Sequence, residues 1–191
     1  MYLYTHTNAG SELEIAGNKI HHVGEYGIHL YGNGSARVDG LIVDNEISHT
    51  TTGVYQYSYY GTLSEDITYR NNTIHDTTTG LYFYTYHNNV RMIPVVSGNI
   101  IYDNSSYGIR VNKGWGSSSI IPRFYNNIIS RSSTGIHLEG GGITPEIIFN
   151  TIIDNAVGLS LAGVIQPVIL HNDIQGNSST GILLNSIGTA Y

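Results

Sequence analysis

The chain has 191 residues, of which 12 % are charged, and its formal net charge at pH 7 is −6. Its eight lysine and arginine residues are scattered, so the basic patch that nucleic-acid binding requires is missing and no nucleic-acid partner is expected. The lack of cysteine excludes disulfides, cysteine-ligated metal centres and thiol catalysis. No apolar run is long enough to form a membrane-spanning helix, and no membrane span or cofactor is predicted.

A short phrase, Asn-x-Ile, recurs along the whole chain at intervals of 22 to 28 residues. Self-similarity at a period of about 20 to 50 residues is typical of solenoids, in which each unit buries its apolar face by stacking on its neighbours. The asparagines that open the phrase are Asn18, Asn45, Asn72, Asn99, Asn127, Asn150 and Asn172.

Each repeat contains three short apolar segments, exemplified by the third repeat. There Tyr69 precedes the asparagine by three positions, Ile74 follows it by two, and a later glycine leads into Leu81 and Phe83. Short segments of this kind, separated by Gly and Asn, predict strands. Equivalent strands of stacked coils are parallel and about 4.8 Å apart, with right-handed connections. We therefore predict an all-β, right-handed, single-stranded parallel β-helix of about seven coils, each of 22 to 28 residues with three short strands.

The repeated asparagine and glycine have predicted structural roles. Asparagine tolerates the left-handed backbone conformation needed at a bend, and its amide can bond to the asparagine of the next coil in a buried ladder. The glycine supplies either a positive φ or a close approach of two backbones. Residues 1–191 form a single solenoid domain in this interpretation. Since no capping segment is recognisable, we expect a segment of a longer protein, or a subunit that stacks on further copies of itself.

The combined phrase, Asn-x-Ile followed by Gly-Ile-x-Leu, resembles that of right-handed parallel β-helix repeat proteins. These belong to the pectate-lyase-like superfamily, and the closest resemblance is to its NosD-like or carbohydrate-binding and sugar-hydrolase repeats. The resemblance extends over nearly the whole chain. It implies the fold but leaves the activity open, because the superfamily includes polysaccharide lyases, glycoside hydrolases, tailspikes, adhesins and surface-layer proteins.

Stacking turns each alignment column into a stripe on the surface, and one stripe carries charged residues. Asp76, Asp103 and Arg131 each stand four positions after the repeat asparagine in successive coils. On a parallel solenoid the two aspartates would be one coil spacing apart. Carboxylates about 5 Å apart suit a retaining glycosidase, and a wider gap suits an inverting one. The resemblance to polysaccharide lyases implies instead an arginine that abstracts a proton. These residues are the predicted catalytic candidates. The alternative is that the aspartates make local turn hydrogen bonds and the arginine pairs with them.

Histidines occupy the same stripe in the first three repeats. His21, His22, His49 and His75 could converge on a metal ion, since neutral imidazole is a common ligand. Neighbouring stripe positions point in different directions, however, and the sequence has no His-x-x-x-His pair here. We therefore predict no metal site.

The strand that follows the glycine carries aromatic residues at its outward positions in four consecutive coils. Such a broad exposed aromatic surface marks a contact site, and tyrosine suits both sugars and protein interfaces. The alternative is that stacked tyrosines only brace the sheet. The predicted binding face comprises Tyr4, Tyr31, Tyr55, Tyr57, Tyr82 and Tyr84 with Trp115 in an adjoining loop.

Two functions follow from these surfaces. The first is an extracellular or cell-surface structural and recognition solenoid, part of an adhesin, surface layer or filament, whose tyrosine face contacts a glycan or further copies of the chain. The second is a fragment of a polysaccharide-processing lyase or glycoside hydrolase. We favour the first, because acidic residues are few and the aromatic face is the larger anomaly.

Overall fold

The computed structural model describes residues 2–6, 11–33, 37–59, 64–163 and 166–185. This part of the chain consists of 24 strands joined by turns and loops. None of its segments is a helix long and apolar enough to cross a membrane. All strand pairs are parallel, as in β6 with β9 and in β10 with β14. The predicted parallel β-helix with three strands per coil is thus confirmed.

The strands form three sheets that run the length of the solenoid. Sheet A contains the strands that follow the repeat glycine: β1 (Tyr2–His6), β4 (Tyr26–Asn33), β7 (Thr52–Ser58), β10 (Thr79–Thr85), β14 (Tyr107–Lys113), β18 (Thr134–Glu139), β21 (Val157–Ala162) and β24 (Thr180–Asn185). Sheet B precedes the repeat asparagine and contains β2 (Ser11–Ala16), β5 (Arg37–Val43), β8 (Ser64–Arg70), β11 (Arg91–Met92), β12 (Val95–Ser97), β15 (Ser119–Ile120), β16 (Arg123–Tyr125), β19 (Glu146–Ile148) and β22 (Val168–Leu170). Sheet C follows it and contains β3 (Lys19–His21), β6 (Glu46–Ser48), β9 (Thr73–His75), β13 (Ile100–Tyr102), β17 (Ile128–Ser130), β20 (Thr151–Ile153) and β23 (Asp173–Gln175).

The apolar residues of the repeat fill the interior of the solenoid. The isoleucine of the phrase stacks on its counterpart in the next coil, as Ile47 does on Ile74 and Ile74 on Ile101. All three are fully buried, as are the bulkier Tyr69 and Phe83. Burying each such side chain stabilises the fold by about 1.5–3 kcal/mol, so the strict register along the axis is fixed by the core.

The repeat asparagines stack at the bend between sheets B and C. Asn72 donates from both its backbone N and its Nδ2 to Oδ1 of Asn99, at 2.8 and 3.0 Å, and Nδ2 also donates to the Ile42 carbonyl at 2.9 Å. Asn45, Asn72, Asn99, Asn127 and Asn150 are buried, while Asn18 is exposed and Asn172 is half-buried.

The expectation that these asparagines adopt the left-handed conformation is wrong. The positive φ belongs to the residue before each of them, with values of 57° at Asp44, 55° at Asn71 and 53° at Asn126. The bend is completed one residue early, which leaves the backbone N–H and the amide of the asparagine free to reach the same acceptor in the next coil. A φ in this region costs little for Asn and Asp.

The repeat glycines allow two backbones to approach each other. A Cβ on Gly80 would lie 2.5 Å from the carbonyl oxygen of Gly108 and 2.8 Å from Cγ2 of Ile101. Gly27, Gly53 and Gly80 have no positive φ. Of the two predicted roles, close approach is therefore the one that the structure supports.

One polar cluster interrupts the apolar core. Gln56 replaces the Leu30 and Phe83 of neighbouring coils, and its Nε2 donates to Oε2 of Glu65 at 2.5 Å. The hydroxyl of Tyr69 donates to Oε1 of Gln56 at 2.6 Å. Glu65 is buried, and this burial raises the pKa of its carboxyl.

Candidate functional site

Along β4, β7 and β10 of sheet A, successive side chains point alternately into the core and toward the outer surface. In β10, Leu81 and Phe83 point into the core, whereas Tyr82 and Tyr84 are partly exposed on the outer side. Because the strands are in register, equivalent tyrosines fall into columns along the solenoid axis. We call this surface the aromatic face, and it consists of Tyr26, His29, Tyr31, Tyr55, Tyr57, Tyr59, Tyr82, Tyr84 and Tyr86.

The rings of the aromatic face stack on one another along the axis. Tyr55 and Tyr82 have ring centroids 5.0 Å apart with planes 28° apart, and Tyr57 and Tyr84 are 5.3 Å apart at 12°. Tyr31 continues the second column at 5.3 Å, tilted by 55°. Stacked tyrosines cover each other's ring faces, so within each column the surface offers mainly ring edges and hydroxyl groups to a ligand.

The hydroxyls of Tyr55, Tyr57, Tyr82 and Tyr84 have no hydrogen-bond partner within the described part of the chain, and none of them is a buried atom. They therefore reach solvent as a grid of donors and acceptors. Burial of the rings raises the pKa of Tyr57 to about 12 and raises those of Tyr55, Tyr82 and Tyr84. At neutral pH these hydroxyls stay protonated and can donate.

The aromatic face ends abruptly at β14. There Arg110 lies in register with Tyr82, and Asn112 lies in register with Tyr84. The guanidinium carbon of Arg110 is 4.8 Å from the ring centroid of Tyr82 and 5.1 Å from that of Tyr107. A cation thus replaces a tyrosine at the border of the face.

Trp115 projects from the loop after β14 and is 82 % exposed. Its loop is tethered, since the backbone N of Ser117 donates to Oδ1 of Asn88 at 2.9 Å and Nζ of Lys113 donates to the Gly116 carbonyl at 2.7 Å. The same loop packs on the aromatic face, because a Cβ on Gly114 would lie 3.1 Å from the Tyr84 hydroxyl oxygen. Trp115 thus presents an open indole surface from a loop whose backbone is tethered next to Tyr84. At the other end, the backbone of Tyr4 pairs with Tyr31, and its side chain lies outside the described part.

The three catalytic candidates lie on the turn after sheet C. Arg131 donates to both carboxylate oxygens of Asp103, from Nε at 2.6 Å and from Nη2 at 3.0 Å. This pairing lowers the pKa of Asp103 and raises that of Arg131, which disfavours the deprotonated guanidine that a general base requires. Asp76 lies one coil away and its Oδ2 is 2.7 Å from Nδ1 of His75. The structure thus joins Asp103 to Arg131 and gives Asp76 a different partner.

The histidines of the same stripe stack as rings. His22 and His49 have centroids 4.6 Å apart with planes 7° apart, and His75 stacks on Tyr102 at 4.9 Å. His21 and His22 approach each other through their Nδ1 atoms at 2.8 Å. Among the described residues, no group of three or more His, Cys, Asp or Glu side chains is arranged to hold a metal ion.

A second polar surface, which the sequence analysis missed, lies on sheet B. Glu12, Asp39 and Asp66 are in register on β2, β5 and β8 and line one side of an open cleft. Nε of Arg37 is 2.7 Å from Oδ2 of Asp39. The signal that could have revealed this column is the repeat itself, because these acidic residues are spaced at the same interval as the asparagines of their coils.

Comparison with known proteins agrees with this architecture. A family model described as the right-handed beta helix region matches residues 5–164 and, in a second and overlapping match, residues 92–190. No significant match was found among curated proteins or among solved structures.

Proposed function

The chain belongs to the right-handed β-helix family, and we propose that its aromatic face is a glycan-binding surface of an extracellular or cell-surface protein. The observation that carries this proposal is the grid of solvent-facing tyrosine hydroxyls, bordered by the tethered and exposed Trp115. The solenoid is the rigid frame that holds this grid in place.

The chemistry of the face favours a polyhydroxylated ligand. Each tyrosine hydroxyl can donate and accept a hydrogen bond, and the hydroxyls of a sugar can do the same in return. The ring edges add apolar contact, and the indole of Trp115 offers a free face for the C–H groups of a sugar ring. The columns run along the axis, so the face suits an extended chain of sugars rather than one small molecule.

Pre-organisation supports the same function. Stacking fixes the rings of Tyr55, Tyr57, Tyr82 and Tyr84 before any ligand arrives. A ligand then binds without the loss of side-chain freedom that flexible contacts entail.

The proposal is tested by removing the hydroxyls while keeping the rings. The double variant Tyr57→Phe and Tyr84→Phe should bind immobilised polysaccharides about thirtyfold more weakly than the wild type, because two hydrogen bonds of about 1 kcal/mol each are lost. Trp115→Ala should weaken retention as well. Tyr102→Phe, on sheet C, is the matched control and should bind as the wild type does. Unchanged retention by the double variant and by Trp115→Ala would refute the proposed function.

A further inference from the structure

Arg110 occupies the position where the first column of the aromatic face stops. Its backbone lies in register with Tyr82 on one side and with His137 on the other. A ligand that follows the column from Tyr55 past Tyr82 therefore meets a guanidinium next. The residue remains partly exposed to solvent.

Among the residues that the structure describes, Arg110 has no carboxylate partner. Within the described part of the chain, no carboxylate oxygen lies within 4.0 Å of its guanidinium nitrogens, and its buried Nε has no acceptor. The nearby acid, Glu139, is engaged elsewhere, since it accepts from Nδ2 of Asn112 at 3.3 Å and lies 3.6 Å from Nε2 of His137. By contrast, Arg131, on the turn after sheet C, has a carboxylate partner.

Two aromatic rings hold the guanidinium in position. The distances of 4.8 Å to the Tyr82 ring and 5.1 Å to the Tyr107 ring are those of cation–π contacts. Contacts of this kind fix the side chain but leave its hydrogen-bond donors unused. Arg110 is thus a pre-positioned cation whose remaining donors are available to a ligand on the face.

We infer that Arg110 forms an anion subsite, which binds a carboxylate or sulfate group carried by the glycan on the aromatic face. This inference rests on the proposed function. A planar guanidinium matches both oxyanions through two parallel hydrogen bonds, which are about twice as strong as neutral ones. The tyrosine hydroxyls bind the sugar hydroxyls, and Arg110 selects glycans that bear a negative charge.

The test is binding of the whole chain to an array of glycans that includes neutral, carboxylated and sulfated members on matched backbones. The wild type should retain anionic glycans in preference to their neutral counterparts, and added salt should weaken that preference. Arg110→Gln should weaken binding of the anionic glycans about ten- to a hundredfold and leave neutral glycans unaffected. The carboxylated and sulfated members report separately which anion the subsite prefers.

Two further variants serve as controls. Arg91→Gln removes an exposed arginine from sheet B and should leave binding unchanged. Arg110→Lys retains the charge without the planar fork, and it should bind anionic glycans with intermediate strength. Equal retention of neutral and anionic glycans by the wild type, or an unchanged anion preference in Arg110→Gln, overturns the subsite while the proposed function stands. Retention of no glycan by the wild type overturns both.

Discussion

Two ladders run along the solenoid with the same coil spacing, and they use their polar atoms in opposite ways. Asn99 is fully buried, and its Nδ2 donates to Asn127, Tyr69 and Ser97 within the fold. Tyr57 is partly exposed, and its hydroxyl has no partner in the described part of the chain. A repeated side chain thus stabilises the fold where its polar atoms bond to other residues. It forms a candidate binding surface where its polar atoms remain in contact with solvent.

The strongest test of this contrast is to interrupt the asparagine ladder. Asn99→Ala removes the acceptor of both donors of Asn72 and the side-chain donor to the carbonyls of Tyr69 and Ser97. Since each unsatisfied buried group costs about 1–3 kcal/mol, the free energy of unfolding should fall by more than about 3 kcal/mol. Chemical denaturation measures the loss.

The matched control is the exposed end of the same ladder. Asn18→Ala removes the hydrogen bond that Nδ2 of Asn18 donates to Oδ1 of Asn45, while the backbone N of residue 18 keeps its own bond to that oxygen. The substitution should cost less than about 1 kcal/mol, because water replaces the lost partner. Equal losses at Asn18 and Asn99 would show that burial does not set the strength of the ladder.

A second test concerns the buried cluster of Gln56, Glu65 and Tyr69. The raised pKa of Glu65 means that its stabilising contribution is complete below the ordinary glutamate value of 4.5 and is lost as the pH rises through the folded value. Glu65→Gln mimics the protonated form and should keep the hydrogen bond from Gln56. At pH 7 we expect this variant to be more stable than the wild type by about 1–3 kcal/mol, with the two converging below pH of about 4.

The measurement is thermal or urea unfolding of both proteins across that pH range. Glu12→Gln on β2, an exposed glutamate, is the control and should not alter the difference between pH 4 and pH 7. A Glu65→Gln protein whose stability follows the same pH curve as the wild type would contradict the assignment.

The third test separates ring from hydroxyl in the tyrosine ladder. Tyr57→Phe with Tyr84→Phe should change the free energy of unfolding by less than about 0.5 kcal/mol at pH 7, since the stacked rings remain. Above pH 10 the two proteins should diverge. The pKa of Tyr57 is raised from 10.0 to about 12 in the folded state, so its contribution is present below pH 10 and is lost as the pH rises toward 12.

Unfolding curves of this pair between pH 7 and about 12 report the effect. The wild type should lose stability more steeply than the double phenylalanine variant. A wild type that is destabilised no more than the variant would show that the hydroxyls are not held in a partly desolvated layer.

The sequence predicted the fold because one phrase repeats with fixed spacing and each repeat buries the same columns. It misplaced the left-handed residue, although the column before the asparagine holds Gly17, Asp44, Asn71 and Gly98, all residue types that tolerate this conformation. The aromatic columns were visible as well. The stacking of the tyrosine rings on one another could not be predicted from the sequence, because ring orientation depends on packing between coils. That Arg110 has no carboxylate partner among the described residues was equally hidden, since it depends on which groups Glu139 contacts.

A small effect on stability is also expected for the charged stripe on the turn after sheet C. Arg131→Gln removes an exposed ion pair with Asp103 and should cost about 0–1 kcal/mol of stability.

The alternative function, a polysaccharide lyase or hydrolase, gives the stripe a larger role. If it held, the wild type would turn over a member of a panel of acidic and neutral polysaccharides, and Asp76→Asn, Asp103→Asn and Arg131→Gln would each abolish that turnover. We expect no turnover and no change in glycan retention in these variants, because the carboxylates are already paired with His75 and Arg131 and lie away from the aromatic face. Turnover that depends on Asp103 would make the charged stripe, rather than the tyrosine ladder, the site of function.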